Sequence, residues 1–251
     1  MVSKSQIKDV KALHLKKYRD ESRFFIAEGT KIVTEVLSTY PEIIHELFAT
    51  KSFIEQNSKI LNSKLKLNIV TEQELERISA QSNPNQVLAV CHFFSLAKPS
   101  FDFKNNFSFY LDDIRDPGNL GTILRIADWF GINEIYASES STEIYNQKVI
   151  QSAMGAFLRV RVHYILLDEV LNNIQCPVYG AVLNGKNIYK ETLQNGLIII
   201  GNEANGINKN NLSKITHPLT IPAATTNHTE SLNAAMAASI ISAEFFRQLK
   251  S

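Results

Sequence analysis

The sequence predicts an α/β protein in two parts: a small N-terminal α/β domain and a C-terminal α/β domain built on a mostly parallel sheet. Three observations predict it. Short apolar runs alternate with helix-periodic stretches along nearly all of the 251 residues, as in sheets whose strands are joined by helices. The alternation lapses between Ser95 and Asn106, where Pro99 and polar residues mark a linker. Three loops expected to follow strands or open helices are richer in Gly, Asn and charge than a connection requires.

The first domain is expected over residues 1–98. Ile7, Val10, Leu13 and Tyr18 recur at roughly helical spacing with lysines between them. Residues 24–27 form a short apolar run closed by Gly29, a strand. Ile32, Val33, Val36 and Leu37 mark a helix that Pro41 ends. Residues 46–50, 67–70 and 87–90 read as further strands, and 72–78 as a helix. After a linker at 99–106, the second domain spans 107–251. Its expected strands are 107–111, 134–137, 160–165, 178–183, 197–200 and 219–221, and its expected helices 120–130, 147–157, 168–174 and 231–249.

Composition bounds the function. Hydrophobic residues make up 44% and charged residues 20%, ordinary for a soluble globular chain. No apolar run approaches the ~20 residues of a membrane helix, and no apolar stretch behind Met1 suggests a secretory signal. Cys91 and Cys176 lie far apart, with no ligand spacing for zinc. This usage fits a reducing cytoplasm. Net charge is +1, but residues 1–31 carry eight Lys or Arg against four acids. A local excess of this kind suits phosphate contacts, as well as a solvated helix face.

Three motifs carry the chemistry. The first runs from Asp116 through Pro117, Gly118, Asn119 and Gly121 to Arg125. Asn119 is read as a helix cap, Gly121 as a point of close backbone approach, and Arg125 as a phosphate holder one turn on. The second, Gly201-Asn202-Glu203-Ala204-Asn205-Gly206-Ile207, follows an apolar strand and lacks the Lys-Ser or Lys-Thr of a phosphate loop. The third is Ile221-Pro222, a polar loop, then Ser231-Leu232-Asn233 opening an alanine-rich helix. Along that helix Leu232, Met236, Ile240, Ala243 and Phe246 form an apolar stripe, a core face or a dimer face. In parallel sheets ligands sit beyond the carboxyl ends of strands, where these motifs are expected.

Together and in this order the motifs resemble the SpoU (TrmH) family of the SPOUT RNA methyltransferases, over roughly residues 107–249. The stretch of Lys16, Lys17, Tyr18 and Arg19, followed by 24–29, is similar to the RNA substrate-binding domain attached to many such enzymes. One departure is the loop 223–229, longer than usual for the family and without glycine. The resemblance implies an α/β-knot fold, with a trefoil-knotted catalytic domain, and a homodimer joined through that domain. It implies S-adenosyl-L-methionine as cofactor, lined by Gly201, Ile221 and Leu232 with Leu183 and Gly185 nearby. The reaction implied is methyl transfer to a ribose 2′-hydroxyl, of ribosomal more than transfer RNA, with no metal. Arg125 is then the central catalytic residue, positioned with Asn119, Glu203, Ser231 and Asn233. A guanidinium stays protonated in proteins, so Arg125 is expected to clamp phosphate and steady a developing alkoxide rather than act as a base. Lys16, Lys17, Arg19 and Arg23 are the expected RNA contacts. The competing classes are a non-catalytic RNA-binding or ribosome-assembly factor, a base methyltransferase, and a phosphoryl-transfer enzyme using Asp112, Asp113 and Asp116 around magnesium.

Overall fold

A computed structural model describes residues 2–81, 83–95, 97–103, 106–224 and 231–250, the last without its side chain. The chain forms two compact units: Met1–Leu96 with Tyr145–Leu158, and Ala97–Ile144 with Arg159–Ser251.

The first unit opens with helices α1 (Lys4–Ala12) and α2 (Lys16–Ser22), followed by strand β1 (Phe24–Glu28) and helix α3 (Thr30–Thr39). Strand β2 (Ile44–Ala49), helix α4 (Lys51–Gln56), strand β3 (Leu67–Ile69), helix α5 (Glu72–Ile78) and strand β4 (Val87–His92) complete its N-terminal part. Reciprocal capping boxes, Ser3 with Gln6 and Thr71 with Glu74, start α1 and α5. The sheet order is β1-β4-β2-β3, with β4 antiparallel to both neighbours and β3 parallel to β2. Ile26, Phe48, Leu88 and Val90 pack with Val10 and Leu13 of α1 and with Leu75 and Ile78 of α5.

The opposite side chain of β1, Phe25, meets the inserted segment. Its ring lies 5.0 Å from Tyr145 and 6.1 Å, edge-on, from Phe157. Residues 145–158 thus pack with the first unit although the sequence places them among second-domain elements. Buried Glu28 adds a polar tie, accepting from Ser79 Oγ and, at 2.9 Å, from Gln147 Nε2.

The second unit is built on β5 (Ser108–Asp112), α6 (Pro117–Trp129), β6 (Glu134–Ala137), β7 (Arg161–Tyr164) and α8 (Leu167–Leu171). The inserted segment between β6 and β7 carries α7 (Gln147–Ala153), and after α8 come β8 (Val178–Asn187), β9 (Leu197–Gly201), α9 (Lys209–Leu212), β10 (His217–Thr220) and α10 (Ala234–Lys250). The six strands run in the order β10-β8-β9-β5-β6-β7, every described pair parallel. Both faces are covered, so β5 and β9 read as unbroken apolar runs rather than alternating ones. Tyr110, Tyr136 and Ile199 meet Leu167 and Val170 of α8. Phe245 of α10 packs on Phe107 and Tyr179 at 5.1 and 4.9 Å. No helix among the described residues is long and apolar enough to cross a membrane.

Candidate active site

The site begins where β8 parts from β10. Pro218 pairs with Gly180, but the next residue, Leu219, pairs with Lys186. Residues 181–185 therefore have no ladder pairing in β10, although Thr220 Oγ1 donates to the Leu183 carbonyl at 3.0 Å, and 181–184 form one wall of a cavity of about 780 Å³. Its other walls are the loop 200–207, residues 218–221, and Ser231, Leu232 and the start of α10. Leu183, Gly201, Ile221, Ser231 and Leu232 all line it. Gly185 does not. A Cβ there would meet the Leu219 backbone at 2.5 Å, so this glycine lets β8 and β10 close beside the cavity.

The loop 201–207 is held from both ends. Asn202 Nδ2 donates to the Asp113 carbonyl at 2.9 Å, and Asn202 Oδ1 accepts from the amides of Ala204 and Asn205. At the far end buried Asp112 accepts from the Asn208 amide at 2.8 Å and from Asn211 Nδ2 at 3.0 Å. Gly206 turns the chain at φ +66°, and Gly201 has no room for a Cβ, which would lie 2.3 Å from the Gly206 carbonyl carbon. A side chain at 201 would spread the loop that forms the wall.

This arrangement presents Glu203 to α6. Asp116, not Asn119, caps that helix: its Oδ1 accepts from the Asn119 amide at 2.9 Å, with Pro117 at the first position. The sequence reading of Asn119 as the cap is therefore corrected. Lying inside the first turn frees its side chain, which donates through Nδ2 to Glu203 Oε1 and accepts through Oδ1 from Asn233 Nδ2 at 2.8 Å. Asn233 in turn caps α10, its Oδ1 accepting from the amides of Ala235 and Met236 at 2.9 and 3.3 Å. The structure thus joins Asn119, Glu203 and Asn233, drawn from all three motifs.

Arg125 stands apart from this chain of amides. It is exposed on α6, and among the described residues its guanidinium has no hydrogen-bond or ion-pair partner. The acids weighed for magnesium are each used locally: Asp112 on the loop, Asp113 against Arg115 at 2.9 Å, and Asp116 as a cap. The unusual loop at 223–229 lies mostly outside the described residues, which resume at Ser231.

In the first unit, Lys16 and Lys17 are exposed, each 3.8–3.9 Å from an acid one turn on, Asp20 and Glu21. Arg23 is exposed too. Arg19 is not: it is 3% exposed and donates to the Leu13 carbonyl at 2.7 Å. Its expected phosphate contact is corrected, because the guanidinium is spent bonding the carbonyl at the end of α1.

Residues 106–243 match the model of the SpoU rRNA methylase family. The chain belongs to that family. Residues 4–89 match the MRM3-like substrate binding domain, so the first unit carries the second matched domain. Among similar proteins, the 23S rRNA (guanosine(2553)-2′-O)-methyltransferase RlmP of Bacillus subtilis is 29% identical over 94% of each chain. A solved structure from Porphyromonas gingivalis, assigned to the TrmH family of RNA methyltransferases, is 33% identical over 99% of both chains, with a TM-score of 0.85. The AdoMet-bound rRNA methyltransferase of Sinorhizobium meliloti is 26% identical over 100% of this chain and 98% of its own, with a TM-score of 0.84. The SpoU match covers the three motifs and all the residues that line the cavity.

The Asp112 and Asn208–Asn211 ties were missed in the sequence. The signal was the run of five asparagines between 202 and 211, a density suited to turns and local side-chain bonds.

Proposed function

We infer that this chain transfers a methyl group from S-adenosyl-L-methionine to a ribose 2′-hydroxyl of ribosomal RNA. The observation that carries it is the cavity beside the Asn233–Asn119–Glu203 chain. Its volume of about 780 Å³ lies in the range of cofactor sites. Its lining of glycine and aliphatic residues, with Asn184, Asn202, Glu203 and Ser231 among them, suits adenosine and a methionine tail. Leu183, Gly201, Ile221 and Leu232 would hold the cofactor, with Gly185 acting through the strand closure. When bound, the cofactor supplies an electrophilic methyl on a sulfonium leaving group.

The chain's own residues then have to place a hydroxyl and steady the charge that forms on it. Arg125, which has no ion-pair partner among the described residues, takes that role, holding the target phosphate and the developing alkoxide. Asn119, held by Glu203 and Asn233, and Ser231 at the cavity rim position the nucleotide. The RlmP relative, named for a 2′-oxygen of 23S rRNA, favours ribose over base and ribosomal over transfer RNA. The exposed apolar stripe of Leu232, Met236 and Phe246, with Trp129 at 85% exposure, supports a homodimer through this unit, and the family resemblance supports a knotted catalytic domain in a cytoplasmic protein.

The test is methyl transfer from radiolabelled S-adenosyl-L-methionine to unmodified total RNA, followed by nucleoside mapping. Label on one ribose 2′-oxygen is expected. Label on a base would overturn the ribose assignment. No label and no cofactor binding would favour an RNA-binding factor without catalysis.

A further inference from the structure

The residue that ends α2 is in the left-handed region, and it is an arginine. Arg23 has φ 60° and ψ 33°, a conformation that glycine adopts without the steric cost a Cβ brings. Its backbone is used twice: the amide donates to the Arg19 carbonyl at 2.7 Å, and the carbonyl accepts from the Phe93 amide at 2.9 Å. Glycine would make both bonds, so the backbone gives no reason for an arginine here.

The side chain gives one. The guanidinium carbon lies over the Phe93 ring, 4.5 Å from its centroid. Phe93 is stacked in turn on Tyr145, with centroids 3.7 Å apart and planes at 15°. Tyr145 is buried, and its hydroxyl accepts from the Phe94 amide at 2.9 Å. The result is a ladder rising from a buried phenol through a half-buried phenyl to an exposed guanidinium. Among the described residues no carboxylate or carbonyl engages that guanidinium, unlike Lys16 and Lys17 with their acids.

We propose that Arg23 is a stacking platform for an unpaired RNA base, its guanidinium held in place by Phe93 and Tyr145 beneath it. The inference rests on the RNA reading above and adds a named contact in the substrate-binding unit. A guanidinium plane offers a base both a flat face and a positive charge. Stacking of this kind is tolerant of base identity, because every base has a π-face. The arginine at a glycine-favoured position is the cost of presenting that face.

The full-length protein is titrated with two fluorescein-labelled 12-nucleotide single-stranded RNAs of alternating A and C, one intact and one with abasic sites at its centre. Wild type is expected to bind the intact RNA about tenfold more tightly, the scale of one base–side-chain stack. Arg23→Gly keeps the backbone conformation and should melt no lower than wild type, yet lose that discrimination. Arg23→Lys keeps the charge without the plane and should lose it as well. Wild type that binds both RNAs equally, or Arg23→Gly that still discriminates, overturns the platform. So does Arg23→Lys that discriminates like wild type, since charge alone then suffices. Cofactor titration of the same proteins and methyl transfer by wild type separate this from the broader reading: wild type that neither binds S-adenosyl-L-methionine nor transfers a methyl group fails as a methyltransferase, whereas the loss of stacking at Arg23 leaves cofactor binding unmoved.

Discussion

Asn233 donates through Nδ2 to Oδ1 of Asn119 at 2.8 Å, and the direction of that bond is fixed by a helix cap. Oδ1 of Asn233 is taken by two amides at the start of α10, so its amide nitrogen must face Asn119. Asn119 then presents its oxygen to Asn233 and its nitrogen to Glu203. Starting the last helix therefore orients a side chain on a helix that begins more than a hundred residues earlier.

Two substitutions at Asn233 separate its jobs. Asn233→Ala removes cap and donor together and should cost about 1 kcal/mol of stability along with activity. Asn233→Ser restores the cap but has no amide to donate to Asn119. Its melting temperature should return toward wild type while kcat stays low. Recovery of both would show that Asn233 serves the helix alone.

Arg125 is exposed and without a partner among the described residues, so its removal should leave the fold intact. Arg125→Ala is expected to lower methyl transfer by at least about a hundredfold, the scale of losing one donor to a developing oxyanion. Cofactor affinity should survive, measured by titration. Loss of cofactor binding as well would undo the role given to this residue.

Asp112 ties the end of the cavity loop through Asn208 and Asn211. Asp112→Ala should raise KM for S-adenosyl-L-methionine about tenfold, as for one lost charge-assisted bond, with a smaller change in kcat. Asp112→Asn keeps an acceptor for the Asn208 amide and should recover part of the affinity. A fall in kcat with KM unmoved would mean a smaller folded fraction instead of a displaced loop.

Burial pushes the Glu28 carboxyl above its ordinary value of 4.5, outweighing the bonds from Ser79 and Gln147 and the nearby His14 that pull it down. The folded value thus exceeds the unfolded one, so ionisation costs the folded state. Glu28's contribution is most favourable below pH 4.5 and declines as pH rises through the raised value. Glu28→Gln should flatten that decline in urea unfolding as pH rises above 4.5. An unchanged slope would assign it to other groups.

The strands were the most legible part of the sequence, since β5, β9 and β4 are apolar runs bounded by polar or turn residues. Helix α4 was not: Lys51–Gln56 buries only Phe53, too little for a periodic pattern. Asn119 looked like a cap because caps and first-turn residues share the same side chains, and only the Asp116 bond distinguishes them. Arg19 looked like surface charge because sequence does not show that a carbonyl at the end of α1 lies within its reach. The cavity residues were nameable through resemblance. Their backbone role was not, because the five-residue jump in the β8–β10 register follows from pairing between segments distant in the chain.

The insertion of Tyr145–Leu158 into the first unit also has a consequence in time. A ribosome releases residues 2–95 long before it reaches Phe157, and until then Phe25 has Phe93 and Phe94 beside it but lacks Tyr145 and Phe157. The first unit therefore cannot finish folding when its N-terminal part is made, but waits until Leu158 has been added. Nascent chains stalled before Tyr145 and after Leu158 should differ in protease resistance across β1 and β4, with the shorter chain cut first.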